Sequence, residues 1–528
     1  MNFKQSLGLF FVLMLTISHT NASKILAAFV FPGKSHAMMY NTLIKELLHR
    51  GHEVTFITNF PLGKDLGSNY TEVQIPVYDF WNDIKVHFKA SSHFDLTTMT
   101  MKGFMEMLDI IGEKVTEHAL KQPNVQEIFN RTDTKDVYDL LLVSQFYQEA
   151  FLTLGLKYNI PVVTSSTLGY ENFYSHMMGI IQPWSFVPHG FLPYDDRMDF
   201  WERVINTISS FYEDVFREYV YLPKQDALVQ KYLSHLPIKF PKMSEMERNI
   251  SVMLLNSHAP ITTPRPTIAG MVKVGGLHIQ KPKSLPTNIK TFLDEATHGA
   301  IYFSLGTNIQ SADMPPEKIQ IFLDVFAGMK QRVLWKFEAD KIPKLPKNVM
   351  VQKWMPQNDI LAHPNVKVFI THGGLFGSQE GVYHGVPMLG MPFFCDQYLN
   401  IKKATKAGYA LSLNFPEITK DSLKHSLTEL LENPFYSENM KRISLIFRDR
   451  PTSALETAMY WIEYVIRHKG APHMRSAGID LAWYQFYLLD VMALIALVIA
   501  SVLGVIIMMI RYLIQIRSKS RKIKVKSS

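Results

Sequence analysis

The chain has 528 residues, 47% of them hydrophobic, which is too long for one ordinary domain and too apolar for a disordered protein. A single cysteine, Cys395, excludes an intramolecular disulfide, so stability must come from core burial. The net charge is +8, but seven of the positive residues crowd into 511–528; the remainder, at about +1, gives a nucleic-acid partner no electrostatic support.

Lys4 precedes an apolar run at 7–17 and the small residues around Ala22, the pattern of a secretory signal peptide over residues 1–22. A βαβ pattern follows: a strand at 25–31, a turn at Pro32-Gly33-Lys34-Ser35, a helix over 38–50 and a strand at 53–58. A further strand at 139–143, a helix at 149–158 and a strand at 161–165 complete a doubly wound domain, placed at 23–275. Between 170 and 250 aromatics and prolines interrupt the pattern, with a helix over 200–233. An apolar insertion of this kind suits an acceptor pocket or core packing equally. The proline-rich stretch 260–286, containing Gly275-Gly276, reads as the inter-domain linker.

The second domain, 276–470, carries strands at 300–307, 333–337, 349–352, 366–371 and 387–391 and helices at 420–431 and 451–468. After a juxtamembrane segment, 471–490, residues 491–510 contain no charge and are long enough to span a bilayer. The basic tail, 511–528, stays cytosolic by the positive-inside rule, which puts the body in the lumen. Asn69, Asn130 and Asn249 head glycosylation triplets.

The most specific stretch is Val368-Phe369-Ile370-Thr371-His372-Gly373-Gly374-Leu375-Phe376-Gly377-Ser378-Gln379-Glu380, followed by His384-Gly385-Val386-Pro387 and Pro392-Phe393-Phe394-Cys395-Asp396-Gln397. An apolar strand, a glycine turn and a helix starting near Ser378 form an anion site, because outward backbone N–H groups and the helix dipole favour negative charge. The stretch resembles the donor-binding signature of the UDP-dependent glycosyltransferases, as does Trp354-Met355-Pro356-Gln357 upstream. The resemblance runs over essentially the whole chain. It implies the GT-B arrangement: an α/β protein with two Rossmann-like domains facing a cleft, plus a C-terminal transmembrane helix.

On this resemblance Trp354 and Gln357 hold the uracil, Glu380 the ribose hydroxyls, Thr307, His372, Gly374 and Ser378 the diphosphate, and Asp396 and Gln397 the sugar. Phe376 stands where some relatives have a polar residue. His36, just after the first strand, looks like the catalytic base, which a ring kept neutral by a helix N-terminus suits. Where many relatives place an orienting aspartate this chain has Ser144. Glu149, about one helical turn on, is a substitute relay; Ser144 itself, or no relay, are the alternatives.

No Asp-x-Asp and no His-Glu-x-x-His motif is present, so no metal or cofactor is expected and a UDP-sugar is the co-substrate. The sugar is expected to be glucose, because the carboxylate of a glucuronate beside Asp396 needs a cation and 392–397 has none. The expected reaction is inverting transfer of that hexose to a hydroxyl of a small lipophilic acceptor. The alternatives are a non-catalytic UDP-sugar or hydrophobic-ligand binding protein of the same fold, and a glycolipid-synthesising enzyme. The expected location is the endoplasmic reticulum membrane as a single-pass type I protein, since Lys524 and Lys526 resemble a dilysine retrieval signal. A homo-oligomer remains open.

Overall fold

The computed structural model describes residues 22–63, 66–97, 99–339, 342 and 344–526. The signal-peptide region before residue 22 and the last two residues lie outside these. The body, up to Arg475, is one compact unit.

It contains two parallel sheets. The first has seven strands: β1 (Lys24–Phe29), β2 (Glu53–Thr58), β3 (Tyr70–Gln74), β4 (Leu140–Ser144), β5 (Val162–Ser166), β6 (Val252–Leu255) and β7 (Met271–Lys273), ordered β3-β2-β1-β4-β5-β6-β7. The second has six: β8 (Ala300–Ser304), β9 (Arg332–Lys336), β10 (Val349–Gln352), β11 (Val366–Thr371), β12 (Met388–Gly390) and β13 (Ala410–Ser412), ordered β10-β9-β8-β11-β12-β13. Central strands are apolar on both faces because each face is covered. In β1, Leu26 and Ala28 join one core cluster while Ile25, Ala27 and Phe29 join another across the sheet. In β8, Ile301 and Phe303 likewise face one cluster and Ala300 and Tyr302 the other.

The helices that matter for the site are α1 (Lys34–His49), α2 (Met101–Leu120), α3 (Phe200–Phe216), α4 (Leu375–His384), α5 (Gln397–Lys406) and α6 (Ala454–Arg467). The proline-rich segment read as linker contains β7, which pairs with β6 and closes the edge of the first sheet. Helix α6, which the sequence placed with the second domain, packs on the first sheet: Met459, Ile462 and Val465 join the cluster of Ile25 and Leu254. Arg50 also reaches Glu456 at 2.6 Å and Glu463 at 3.0 Å. Each buried aliphatic contributes roughly 1.5–3 kcal/mol, against ~0–1 kcal/mol for a surface ion pair, so packing rather than charge fixes this return crossing.

Separately, residues 476–526 contain α7 (Leu489–Lys526), of which Leu489–Ser520 is long and apolar enough to cross a membrane.

Candidate functional site

In each sheet the strand order reverses once, between β1 and β4 and between β8 and β11. Successive crossovers diverge there and leave a crevice beyond the strand C-termini. His36 follows β1, Phe146 follows β4, Thr307 follows β8 and His372 follows β11, and all four line one cleft of about 650 Å³. Two switch points therefore open onto one cavity.

His36 is the third residue of α1 and only 9% exposed. Phe31 and Phe146 pack against it, with ring centroids at 4.5 and 5.0 Å. Burial pushes its pKa down to about 3, so the ring is neutral at physiological pH. Nδ1 lies 3.3 Å from Ser35 Oγ, and Nε2 is buried without a hydrogen-bond partner among the described residues.

Neither residue considered as its relay is bonded to it. Ser144 Oγ pairs with Tyr40 Oη at 2.7 Å. Glu149 is buried, with Oε1 accepting from Arg217 Nη2 at 2.7 Å and Oε2 accepting from Tyr221 Oη. Arg217 also donates to Glu247 at 2.6 Å. Glu149, expected as a substitute relay, is thus engaged elsewhere: its turn follows β4, and Arg217, which caps the C-terminal end of α3, holds the carboxylate.

On the opposite wall Trp354 is 69% exposed while lining the cleft, which removes core packing as the reason for it. Gln357 Nε2 donates to Glu380 Oε2 at 2.5 Å, and burial raises the Glu380 carboxyl to about 7. His278, unread in the sequence, also lines the cleft, with Nε2 3.9 Å from Glu380 Oε1. Burial holds it down to about 3, so the two form a polar contact rather than an ion pair. It follows Gly275-Gly276 in the linker, where no spacing to another motif marks it.

Helix α4 begins at Leu375, three residues before the start expected at Ser378. Ser378 N–H donates to Gly374 O at 3.0 Å, so the N–H groups left for an anion are those of Leu375, Phe376 and Gly377. Ser378 does not line the cleft, although its buried Oγ has no partner. His372 sits between two glycines. A Cβ at Gly374 would lie 2.3 Å from its Nε2, and one at Gly306 2.6 Å from its Cε1. Burial, reinforced by Lys336, lowers its pKa to about 4, so it can serve an anion as a neutral donor only.

Asp396 lines the cleft, its carboxyl raised to about 6 by burial against the 2.9 Å hydrogen bond from Asn400. Gln397 also lines the cleft. Its Oε1 accepts from the Phe393 and Phe394 N–H groups at 2.9 and 3.3 Å, so its acceptor shapes the loop. On α5, burial brings the Lys403 ammonium down to about 7 although Asp196 and Asp396 oppose this, and Lys403 does not line the cleft.

The 170–250 insertion contributes no described residue to the cleft. The apolar wall on the His36 side comes instead from Phe80, Trp81 and Met107, Leu108 and Ile111 of α2. Among the described residues no group of three or more His, Cys, Asp or Glu is placed to hold a metal.

Comparison with known proteins agrees with this architecture. The family described as UDP-glucoronosyl and UDP-glucosyl transferase matches residues 25–525. The chain is 37% identical to "UDP-glycosyltransferase UGT5" of Dactylopius coccus over 94% of both chains. It is 32% identical to "UDP-glucuronosyltransferase 2B7" of Homo sapiens, covering 89% of this chain and 90% of that one. Among solved structures, a UDP-glucose: anthocyanidin 3-O-glucosyltransferase in complex with UDP aligns with a TM-score of 0.55 at 16% identity, over 85% of this chain and all (100%) of that one. GT-B glycosyltransferases are thus its structural neighbours.

Proposed function

The chain belongs to this UDP-dependent glycosyltransferase family, and we propose that it moves glucose from UDP-glucose, with inversion, to the hydroxyl of a small lipophilic acceptor, preferring phenols. One observation carries the reading: a single cleft is lined by His36, which follows β1 of the first sheet, and by Trp354, His372, Glu380 and Asp396 from the segments around the second sheet.

Trp354 offers an exposed indole face for the uracil, and Glu380, oriented by Gln357, accepts from the ribose hydroxyls. The N-terminus of α4 and neutral His372 donate to the diphosphate. Asp396 accepts from sugar hydroxyls; Gln397 keeps its loop in shape and has only its amide N–H groups to offer the sugar. His36 acts as general base through Nε2, with Nδ1–H donating to Ser35 Oγ. A base on one wall and a leaving group on the other imply one direct displacement, so an α-linked donor yields a β-glycoside. The aromatic and aliphatic wall around Phe80, Trp81 and α2 suits a lipophilic acceptor.

Turnover of full-length protein in membranes with labelled UDP-glucose and a panel of phenols tests this reading, with the anomeric configuration of the product read by NMR. Bound UDP-glucose without turnover on any acceptor supports the non-catalytic alternative. UDP-glucuronate is a second reading, motivated by the cation Lys403, which interacts with Asp396 and has Arg265 beside it. Competition between the two donors at equal concentration separates them: a higher kcat/KM for the glucuronate donor rejects glucose. We further propose that α7 anchors the chain in the endoplasmic reticulum membrane with its body luminal, retrieved through Lys524 and Lys526, which carry the signal in a tail whose final two residues lie outside the described ones.

A further inference from the structure

Helix α3 packs with its polar side inward. Asn206, Ser209, Ser210 and Glu213 are buried, while Trp201, Ile205, Ile208, Phe211 and Val215 are 39–69% exposed. Spaced three or four residues apart, these exposed side chains form one apolar stripe along the helix, extended by Phe200 and, one turn beyond, by Tyr219 at 75% exposure. The inversion is fixed by hydrogen bonds. Asn206 Nδ2 donates to the Trp184 and Val187 carbonyls at 2.8 and 3.0 Å, and its Oδ1 accepts from His189 N–H at 2.7 Å. His189 Nδ1 accepts from Phe191 N–H at 3.2 Å, so Nε2 carries the ring proton and donates to Glu213 at 3.0 Å. Turning the stripe inward would break all of these and bury their groups unpaired.

We infer that this stripe rests on a phospholipid bilayer, with its apolar side chains seated among the acyl chains at the interface. The occupant follows from three observations. The same chain carries a helix long and apolar enough to cross a membrane, which tethers the body at high effective concentration near lipid. Aromatic residues bracket the stripe, Phe200 and Trp201 at one end and Tyr219 at the other, the side chains that favour the bilayer interface. The stripe itself is uncharged and its flanking charges, Glu202 and Glu218 against Arg203, leave a slight acidic excess, which selects a zwitterionic surface and not an anionic one. A bilayer also suits an apolar strip along a single helix, since it needs no complementary shape.

The test uses full-length protein reconstituted one copy per nanodisc in phosphatidylcholine. An environment-sensitive fluorophore is attached at Ile208→Cys in a Cys395→Ser background, with Glu438→Cys, an exposed site on the second domain, as the control position. Ile208 is 63% exposed, so the label does not disturb the core. Lipids brominated on the acyl chain should quench the label at 208 at least threefold and leave the label at 438 unchanged. Equal, weak quenching at both positions overturns the inference. So does a label at 208 that is shielded only when two copies share a disc, because the occupant is then a second copy of the chain.

Discussion

Glu149 Oε1 lies 2.7 Å from Arg217 Nη2, and the same guanidinium nitrogen lies 2.6 Å from Glu247. One buried cation thus ties the turn after β4 to α3's C-terminal end and to the Glu247 turn, with Phe173 stacked 4.3 Å away. Three segments distant in sequence are held by one side chain.

Arg217→Ala should therefore destabilise the body by roughly 3–5 kcal/mol, because two buried carboxylates lose their counter-charge. Glu149→Gln keeps the Arg217–Glu247 pair and should lower the melting temperature less, with kcat per folded enzyme near wild type. Thermal melts and active-site titration of both variants check this. A Glu149→Gln protein that melts normally but turns over slowly would restore Glu149 as a relay.

Trp354→Ala separates binding from folding. The indole is 69% exposed, so its loss should leave the melting temperature unchanged. Stacking on a base is worth about 1–3 kcal/mol, so affinity for UDP-glucose should fall roughly 5- to 150-fold. Calorimetry measures it; unchanged affinity removes Trp354 from the uracil site.

Donor binding should depend on pH through Glu380. Burial raises its carboxyl to about 7, and only the ionised form accepts from two ribose hydroxyls. The neutral form dominates below that value, so UDP-glucose should bind about tenfold more weakly at pH 6 than at pH 8. Glu380→Gln should flatten the profile and weaken binding at the higher pH. A wild-type affinity that is flat across this range means Glu380 does not touch the donor.

Much of this architecture is legible in the sequence, and what is not has identifiable physical causes. Strands such as β8 and β11 are apolar on both faces, so their runs announce buried parallel strands directly. The donor residues lie within short, rigid strand–turn–helix units, where sequence offset fixes spatial offset. The partner of Glu149 was not legible because a charged residue's partner is set by tertiary contact, here with Arg217, 68 positions away. Helix α3 shows a different limit of the sequence. Its amphipathic period is clear, but period alone does not say which face turns inward, and buried hydrogen bonds to 184–189 chose the polar one. The α2 wall of the cleft was missed because its helix lies in a stretch where no motif drew attention.

The acceptor preference follows from what does not touch His36. Among the described residues no carboxylate is hydrogen-bonded to the ring and Nδ1 has only the Ser35 hydroxyl at 3.3 Å, while burial lowers the pKa from 6.5 to about 3. Forming an imidazolium there is costly, so transfer should depend strongly on how readily the acceptor gives up its proton. Phenols, with a pKa of about 10 as in tyrosine, should be turned over far faster than aliphatic alcohols of similar size. His36→Ala should lower kcat by about 10²–10⁴ with an un-ionised phenol and leave UDP affinity nearly unchanged, because the donor residues lie on the other wall. With a nitrophenol already ionised at the assay pH, the mutant should recover most of the wild-type rate, since no proton remains to be taken. Ser35→Ala should lower kcat and spare KM by releasing the ring from the tautomer that exposes Nε2. Equal turnover of alcohols and phenols, or an equal loss in the mutant for ionised and un-ionised phenols, would show that His36 positions the acceptor without taking its proton.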